Sequence, residues 1–380
     1  MKRYFFILFV AFFIFQSCNT EKEQLPLANK NVCFPVRVGN NWGLVDTSGN
    51  YIVKPEFEFL GDFNFGYAIV ARSKRYSYIN KQGKIVFPFS FLGASDFSEG
   101  KAIVLDSLNR ISCIDTTFKT LFTLPDSITE TGCFSEGMLP VKCKDKYAYV
   151  NASGNIVIPF SFCTAGDFKS GLAAVAVKIE IDGKDSVRYN HFYINKSGKQ
   201  VISAFFKEAY SFCDGLAAVQ KDSGGWNWID KSGRYLSLND FQECASFSEG
   251  FASFKSKDLW GMINKKGKIV VFPSYSYFSQ VKQGLSVVSL GPQSFTFVDT
   301  IGKLVLRPEF KAASTFNNNY AYIVKDQRIS IIDKSGKIFC NEQFDAVPGY
   351  FGVDLGFYEQ SMNLHLSKIG DDELNPDKIQ

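Results

Sequence analysis

The chain is poor in the residues from which most enzyme sites are built. Histidine occurs only at His191 and His365, so a Ser-His-Asp or Cys-His site would have to use one of the two, and neither has a motif around it. There is no HExxH, no CxxC, no Walker loop and no Asp-x-Asp-x-Asp-Gly calcium loop, which removes the common signatures of metal, redox and nucleotide chemistry. We therefore expect no enzyme, and no catalytic residue, metal or cofactor. Excess charge is also missing. The formal net charge of +4 falls to +2 without Lys2 and Arg3, which leaves no electrostatic footprint for nucleic acid. Long apolar runs are absent too: Tyr4 to Phe15 is too short to span a bilayer.

That short run follows Lys2 and Arg3, and residues 1–17 have the form of a secretory signal. It ends Phe15-Gln16-Ser17-Cys18, which resembles the lipobox of bacterial lipoproteins; Ser17 and Cys18 fit the pattern and Phe15 departs from it. The resemblance implies that Cys18 becomes a lipidated N-terminus, whose acyl chains hold a soluble domain at a membrane. Residues 18–30 then form a polar tether. Asn19 is not the Asp of inner-membrane retention, so a cell-envelope location is expected, at the outer membrane of a Gram-negative host, with the face left open. Eight further cysteines share no common position. Free thiols are expected, Cys133 with Cys143 being the one pairing considered.

Phenylalanine is abundant, with 39 Phe beside 17 Tyr, and glycine recurs at fixed spacing. The best-formed stretch is Phe247 to Pro273, FSEGFASFKSKDLWGMINKKGKIVVFP. Phe251 to Lys255 reads as a strand, C; Trp260 to Ile263 as strand A; Lys268 to Phe272 as strand B, with Pro273 expected to end it. Asn264-Lys265-Lys266-Gly267 between A and B is a type I turn with a G1 bulge. The same Asx-x-x-Gly turn closes at Gly49, Gly83, Gly154, Gly198, Gly233, Gly267, Gly302 and Gly336, with a degenerate copy at Asp115 to Phe118. Steps are 34 to 36 residues except one of 44, where about nine extra residues around Asp182-Gly183 lengthen the C–A hairpin. A second turn, Phe247 to Gly250, recurs as Phe63 to Gly66, Phe97 to Gly100, Phe134 to Gly137, Phe168 to Gly171 and Phe212 to Gly215. The residue before each Asx is β-branched in all nine copies, from Val45 to Ile332, which marks a position facing a packed interior.

These stretches, NWGLVDTSGNYIV and LWGMINKKGKIVVFP with the FSEG turns, resemble the WG repeats, also called KWG repeats, over residues 31–350. The resemblance implies binding or scaffolding in the bacterial envelope and carries no assigned catalytic residues. The fold expected is all-β: about nine three-stranded C-A-B meanders in tandem, stacked as an open superhelical array, with a closed propeller-like ring as the alternative. Residues 351–380 are expected to be a cap and a disordered tail.

Two groups are candidate sites. Trp42, Tyr76, Tyr147, Trp226 and Trp260 occupy one column and could stack on a glycan or peptide, or simply form the core between units. The turn acids Asp62, Asp96, Glu99, Glu136, Asp167, Asp214 and Glu249 could supply the paired carboxylates of a carbohydrate-active enzyme, although their common register suits a row of equivalent solvated turns. The function expected is a non-catalytic envelope lipoprotein that binds or scaffolds a protein or glycan. The alternatives are that enzyme and a passive spacer.

Overall fold

The computed structural model describes residues 32–180, 187–307, 309–326, 328–340, 344–347 and 366–367. Cys18, the Asp182-Gly183 tip and most of 351–380 lie outside the described residues. Among the described residues every regular element is a strand, and these strands form nine small antiparallel sheets, one per repeat unit.

Unit 7 shows how the sequence folds. Strand C is Phe251–Ser256, strand A is Leu259–Asn264 and strand B is Ile269–Tyr275. A fourth strand of two residues, Glu243–Cys244, precedes C and pairs with its other edge. We call it the inner strand. Unit 7 is thus a four-stranded blade, as are units 3 and 9, while five of the nine sheets have three strands. The inner strand recurs as Phe59–Leu60, Gly93–Ala94, Glu130–Thr131, Thr164–Ala165, Glu208–Ala209, Tyr277–Phe278 and Ala312–Ala313. In unit 5, C and A lengthen to Leu172–Glu180 and Val187–Asn195, which is where the extra residues go.

Both turns have the expected chemistry. Gly267 donates to the Asn264 carbonyl at 2.9 Å with φ of +79°, and the Asn264 side chain accepts from the Lys266 and Lys268 amides. In the second turn Ser248 and Phe251 exchange two backbone bonds across Glu249 and Gly250, both at positive φ, which is a type I′ hairpin.

Strand B differs from expectation in passing through Pro273. Trp260 pairs with Tyr275 but Met262 with Val271, so Phe272-Pro273-Ser274 bulges out of the ladder, where proline's missing N–H costs no bond. The bulge crosses Gly261 closely enough that a Cβ there would lie 2.5 Å from the Val271 carbonyl oxygen. Gly43 faces Val53 and Pro55 in the same way. The small residue after the aromatic is therefore set by this crossing. In three units a polar residue there bonds the crossing segment: Ser77 to Phe87, Asn227 to Ser237 and Thr296 to Leu306.

Nine apolar clusters lie between blades. Trp42, Leu44 and Phe57 of unit 1 pack on Leu60, Val70 and Ile79 of unit 2, and the series continues around the chain. The β-branched residue of each A strand faces the preceding unit and is at most 2% exposed in every copy.

The ninth cluster decides the shape. Phe34, Val36 and Val45 of unit 1 pack on Ala312, Val324, Ile329 and Ile331 of unit 9, with Phe344 and Val347. Nine units with nine interfaces close into a ring, so the molecule is the closed propeller-like alternative rather than an open superhelix. The chain's end completes its beginning. Arg37 of strand C in unit 1 (Cys33–Val38) donates to the Ala346 carbonyl at 2.9 Å and accepts from the Asp345 amide at 2.9 Å. In unit 7 the bond from Gln242 to Lys255 occupies the same register. Residues 344–347, at the end of the expected array, thus supply the inner strand that unit 1 lacks, and one blade is shared between the two ends.

Candidate functional site

The inner strands surround the axis of the ring. A cavity of about 780 Å³ lies before units 5 to 8, lined by Thr164, Ala165, Ala209, Ser211, Ser246 and Gln280 among others, with His191 and Tyr210 on its wall. Its residues come from inner strands and from the turns that follow them, the two sites where these units converge. A smaller cavity of about 70 Å³ sits at the seam of units 9, 1 and 2, beside Cys33, Asp62 and Tyr322.

Charge is uneven around the axis. The residue before the turn phenylalanine is Asp62, Asp96 and Asp167 in units 2, 3 and 5, and Ser or Gln in units 6 to 8. Asp62 is open to water yet enclosed by protein, and this enclosure raises its carboxyl above the ordinary range while Lys282 of unit 8 pulls it down. Enclosure pushes Asp96 up to about 6, with the Asp62 charge adding to the effect. Burial also drives the nearby Cys133 thiol up to about 11. Asp62 feels both a unit 3 carboxylate and a unit 8 ammonium, as a side chain facing a shared axial space would.

The other turn acids act between blades. Glu99 accepts from the Gly137 amide at 2.9 Å, Glu136 from Gly171 at 2.9 Å and Asp214 from Gly250 at 2.6 Å. Glu249 takes both Gln283 and Gly284, at 2.7 and 2.8 Å. Each carboxylate reaches the next unit's turn and satisfies amides there, forming charge-assisted bonds. The left-handed backbone at Glu99, Glu136, Asp214 and Glu249 is unusual for residues with a side chain, and these bonds offset its cost. Of the seven candidate acids, four are blade clasps, and Asp62, Asp96 and Asp167 stand just before the turn phenylalanines.

The aromatic column is packed between blades. Trp42 is 6% exposed. Tyr76, Tyr147, Trp226 and Trp260 are half-buried against the clusters beside them. Lys142, ion-paired with Glu130, lies 5.5 Å from the Tyr147 ring, and Lys255, held by Glu243, lies 5.9 Å from the Trp260 ring. Tyr210 covers Trp226 at 5.1 Å. The seven described cysteines in the list Cys33, Cys113, Cys133, Cys143, Cys163, Cys213 and Cys244 are free thiols, so Cys133 and Cys143 are not joined.

A second aromatic series, two residues before the Asx, is the one the sequence pattern did not single out. Tyr78, Tyr149 and Tyr193 each donate a 2.7 Å hydrogen bond to a backbone carbonyl of the next unit, and Trp228 does so through its indole N–H. Each ring also packs on the next unit's turn phenylalanine, with centroids 4.9 to 5.4 Å apart. The signal was a recurring large ring with a polar tip at one register.

A solved structure described as the crystal structure of the eukaryotic initiation factor aligns over 83% of this chain and 97% of its own, with a TM-score of 0.59 and 10% identity; the likeness is one of fold. BamB from Moraxella catarrhalis aligns over 80% of this chain and 94% of its own, with a TM-score of 0.38 and 11% identity. No curated protein matches the sequence. The model of the WG containing repeat matches seven segments, residues 42–72, 76–106, 147–178, 192–226, 226–260, 260–291 and 295–328. These segments cover more than half of the sequence, and the chain belongs to the WG-repeat family.

Proposed function

We propose that this protein is a non-catalytic binding or scaffolding module, held at a bacterial envelope membrane through lipidated Cys18 and presenting its ring to a protein or glycan partner. The observation that carries this reading is the division of labour among the side chains. Blade faces, aromatic columns and four of the seven turn acids are engaged between units, which leaves the axial cavity and the rims as the surfaces available to a ligand. A rigid ring with a concave centre suits presentation. The sequence of residues 1–18 supports the anchor, and Asn19 supports the outer membrane.

The reading is tested by expressing the chain in a Gram-negative host with an alkyne fatty acid. Label on the wild type and none on Cys18→Ala supports the anchor; equal label refutes it. Cross-linking in envelope fractions, followed by capture of the chain, should recover one reproducible protein or glycan. Recovery of nothing above the level of an unrelated lipoprotein counts against a binding role.

One observation favours a second reading. Asp62 and Asp96 are neighbouring enclosed acids with raised proton affinity, the pattern of an acid–base pair in a glycoside hydrolase. Hydrolysis of an envelope glycan by the wild type and not by Asp96→Asn would establish it.

A further inference from the structure

Among the described residues the inner strand is the terminal strand of its sheet in units 2, 3 and 5 to 9, but not in unit 4. There Glu130–Thr131 pairs on its second side with Leu366–Ser367 from the end of the chain, antiparallel, with Glu130 opposite Ser367 and Thr131 opposite Leu366. An inner edge of this ring therefore accepts an extended segment. We propose that the inner edges of units 5 and 6 do the same for a partner, binding an extended polypeptide as an added strand in the cavity.

Three features of the cavity suit that ligand. It is lined by the inner strands of units 5 and 6, next to unit 4, through Thr164, Ala165 and Ala209, and by the segments that follow the inner strands in units 6 to 8. The lining at those two strands is small, and Ser211 and Ser246 beside them are small as well, so a second backbone can approach to the 4.7–4.9 Å of a paired strand. Finally, the ring shields these edges from whole sheets. A single extended segment, such as a tail or a loop, can enter where a folded edge cannot. Recognition of this kind rests on main-chain bonds, with the alternate side chains read by the walls. Here His191 and Tyr210 are those walls. The proposal rests on the binding reading above and names the ligand class for it.

The test uses the full chain and a fluorescent synthetic peptide of residues 361–370. Hydrogen exchange is measured with and without peptide. Saturating peptide should slow amide exchange at least tenfold at 164–165 and 208–209 and leave the B strands unchanged. A peptide N-methylated at alternate residues should bind at least tenfold more weakly. In the full chain carrying L366P and S367P, exchange at 130–131 should quicken at least tenfold and one further peptide should bind. Protection at the outer strands alone, no protection anywhere, or equal binding of the N-methylated peptide would each overturn the proposal. If an envelope partner is captured as described above while the peptide protects nothing, the binding reading stands and strand addition does not.

Discussion

Truncating the chain after residue 343 removes the strand that unit 1 borrows, and the effect can be sized from its contacts. Phe344 is 5% exposed and Val347 is fully buried, and burying such side chains is worth about 1.5–3 kcal/mol each. Two backbone bonds join Arg37 to Asp345 and Ala346, each worth about 0.5–1.5 kcal/mol net. Together they amount to about 4–9 kcal/mol, against the roughly 5–15 kcal/mol that usually stabilises a folded protein. The truncated chain should therefore open, exposing one face each of units 1 and 9. A gentler pair of substitutions tests the same seam. Val36 of unit 1 and Ile331 of unit 9 share a cluster and neither is accessible to solvent. Guanidinium unfolding of Val36→Ala, Ile331→Ala and the double variant, followed by tryptophan fluorescence, should give a coupling between about 0.5 and 3 kcal/mol. In an open array the two residues would sit at opposite ends of the molecule. Additivity within about 0.5 kcal/mol would refute closure.

Other expectations follow from single contacts. Gly261→Ala places a methyl against the Val271 carbonyl and should cost about 1–3 kcal/mol by overpacking; an unchanged denaturation midpoint would show that the bulge moves freely. Tyr193→Phe keeps the ring contacts but leaves the Tyr210 carbonyl without its donor, at a cost of about 1–3 kcal/mol, read by thermal unfolding. Glu249→Gln keeps an acceptor but loses the charge that strengthens the bonds to Gln283 and Gly284; a cost of about 1 kcal/mol is expected for these exposed bonds, read by guanidinium unfolding. For Asp96 the folded proton affinity, about 6, exceeds the unfolded value near 3.9. The native state then binds more protons between these values, so stability falls as pH rises from about 4 to 6. Asp96→Asn should match the wild type at pH 3.5 and exceed it by about 1–2 kcal/mol at pH 7.5, discounting for water in the axial space. Parallel stability curves for the two proteins would refute an enclosed carboxylate.

The repeats, both turns and the buried β-branched column were legible because each places the same residue type at the same register nine times. The Asn264 turn and the Ile263 position needed no tertiary information. The inner strand was not legible: a pair such as Glu243–Cys244 is too short to show a period of two, and only pairing with Lys255 and Phe254 defines it. Closure was hidden for a related reason. Phe344 to Val347 stands in the register of Phe241 to Cys244, but no Phe-x-x-Gly turn follows it at the expected distance, so it reads as a fading repeat. Pro273 misled in the other direction, since a bulge opposite a glycine provides a place for proline inside a strand. At the candidate site, sequence gave the acids and rings but not their partners. Asp96 precedes its turn phenylalanine and Glu249 stands two residues after its own, but only the fold shows that Glu249 holds its neighbour's amides while Asp96 is enclosed beside Asp62.

The shared blade also fixes when the molecule can finish folding. Arg37 waits for residues made some three hundred positions later, so a nascent chain carrying all but its last repeat is an arc with an uncovered sheet face at each end. For units that need only their nearest neighbours, the middle of the arc can settle early, whereas the seam depends on contacts of the highest sequence separation and must form last. Any factor that holds the arc soluble has to release units 1 and 9 together.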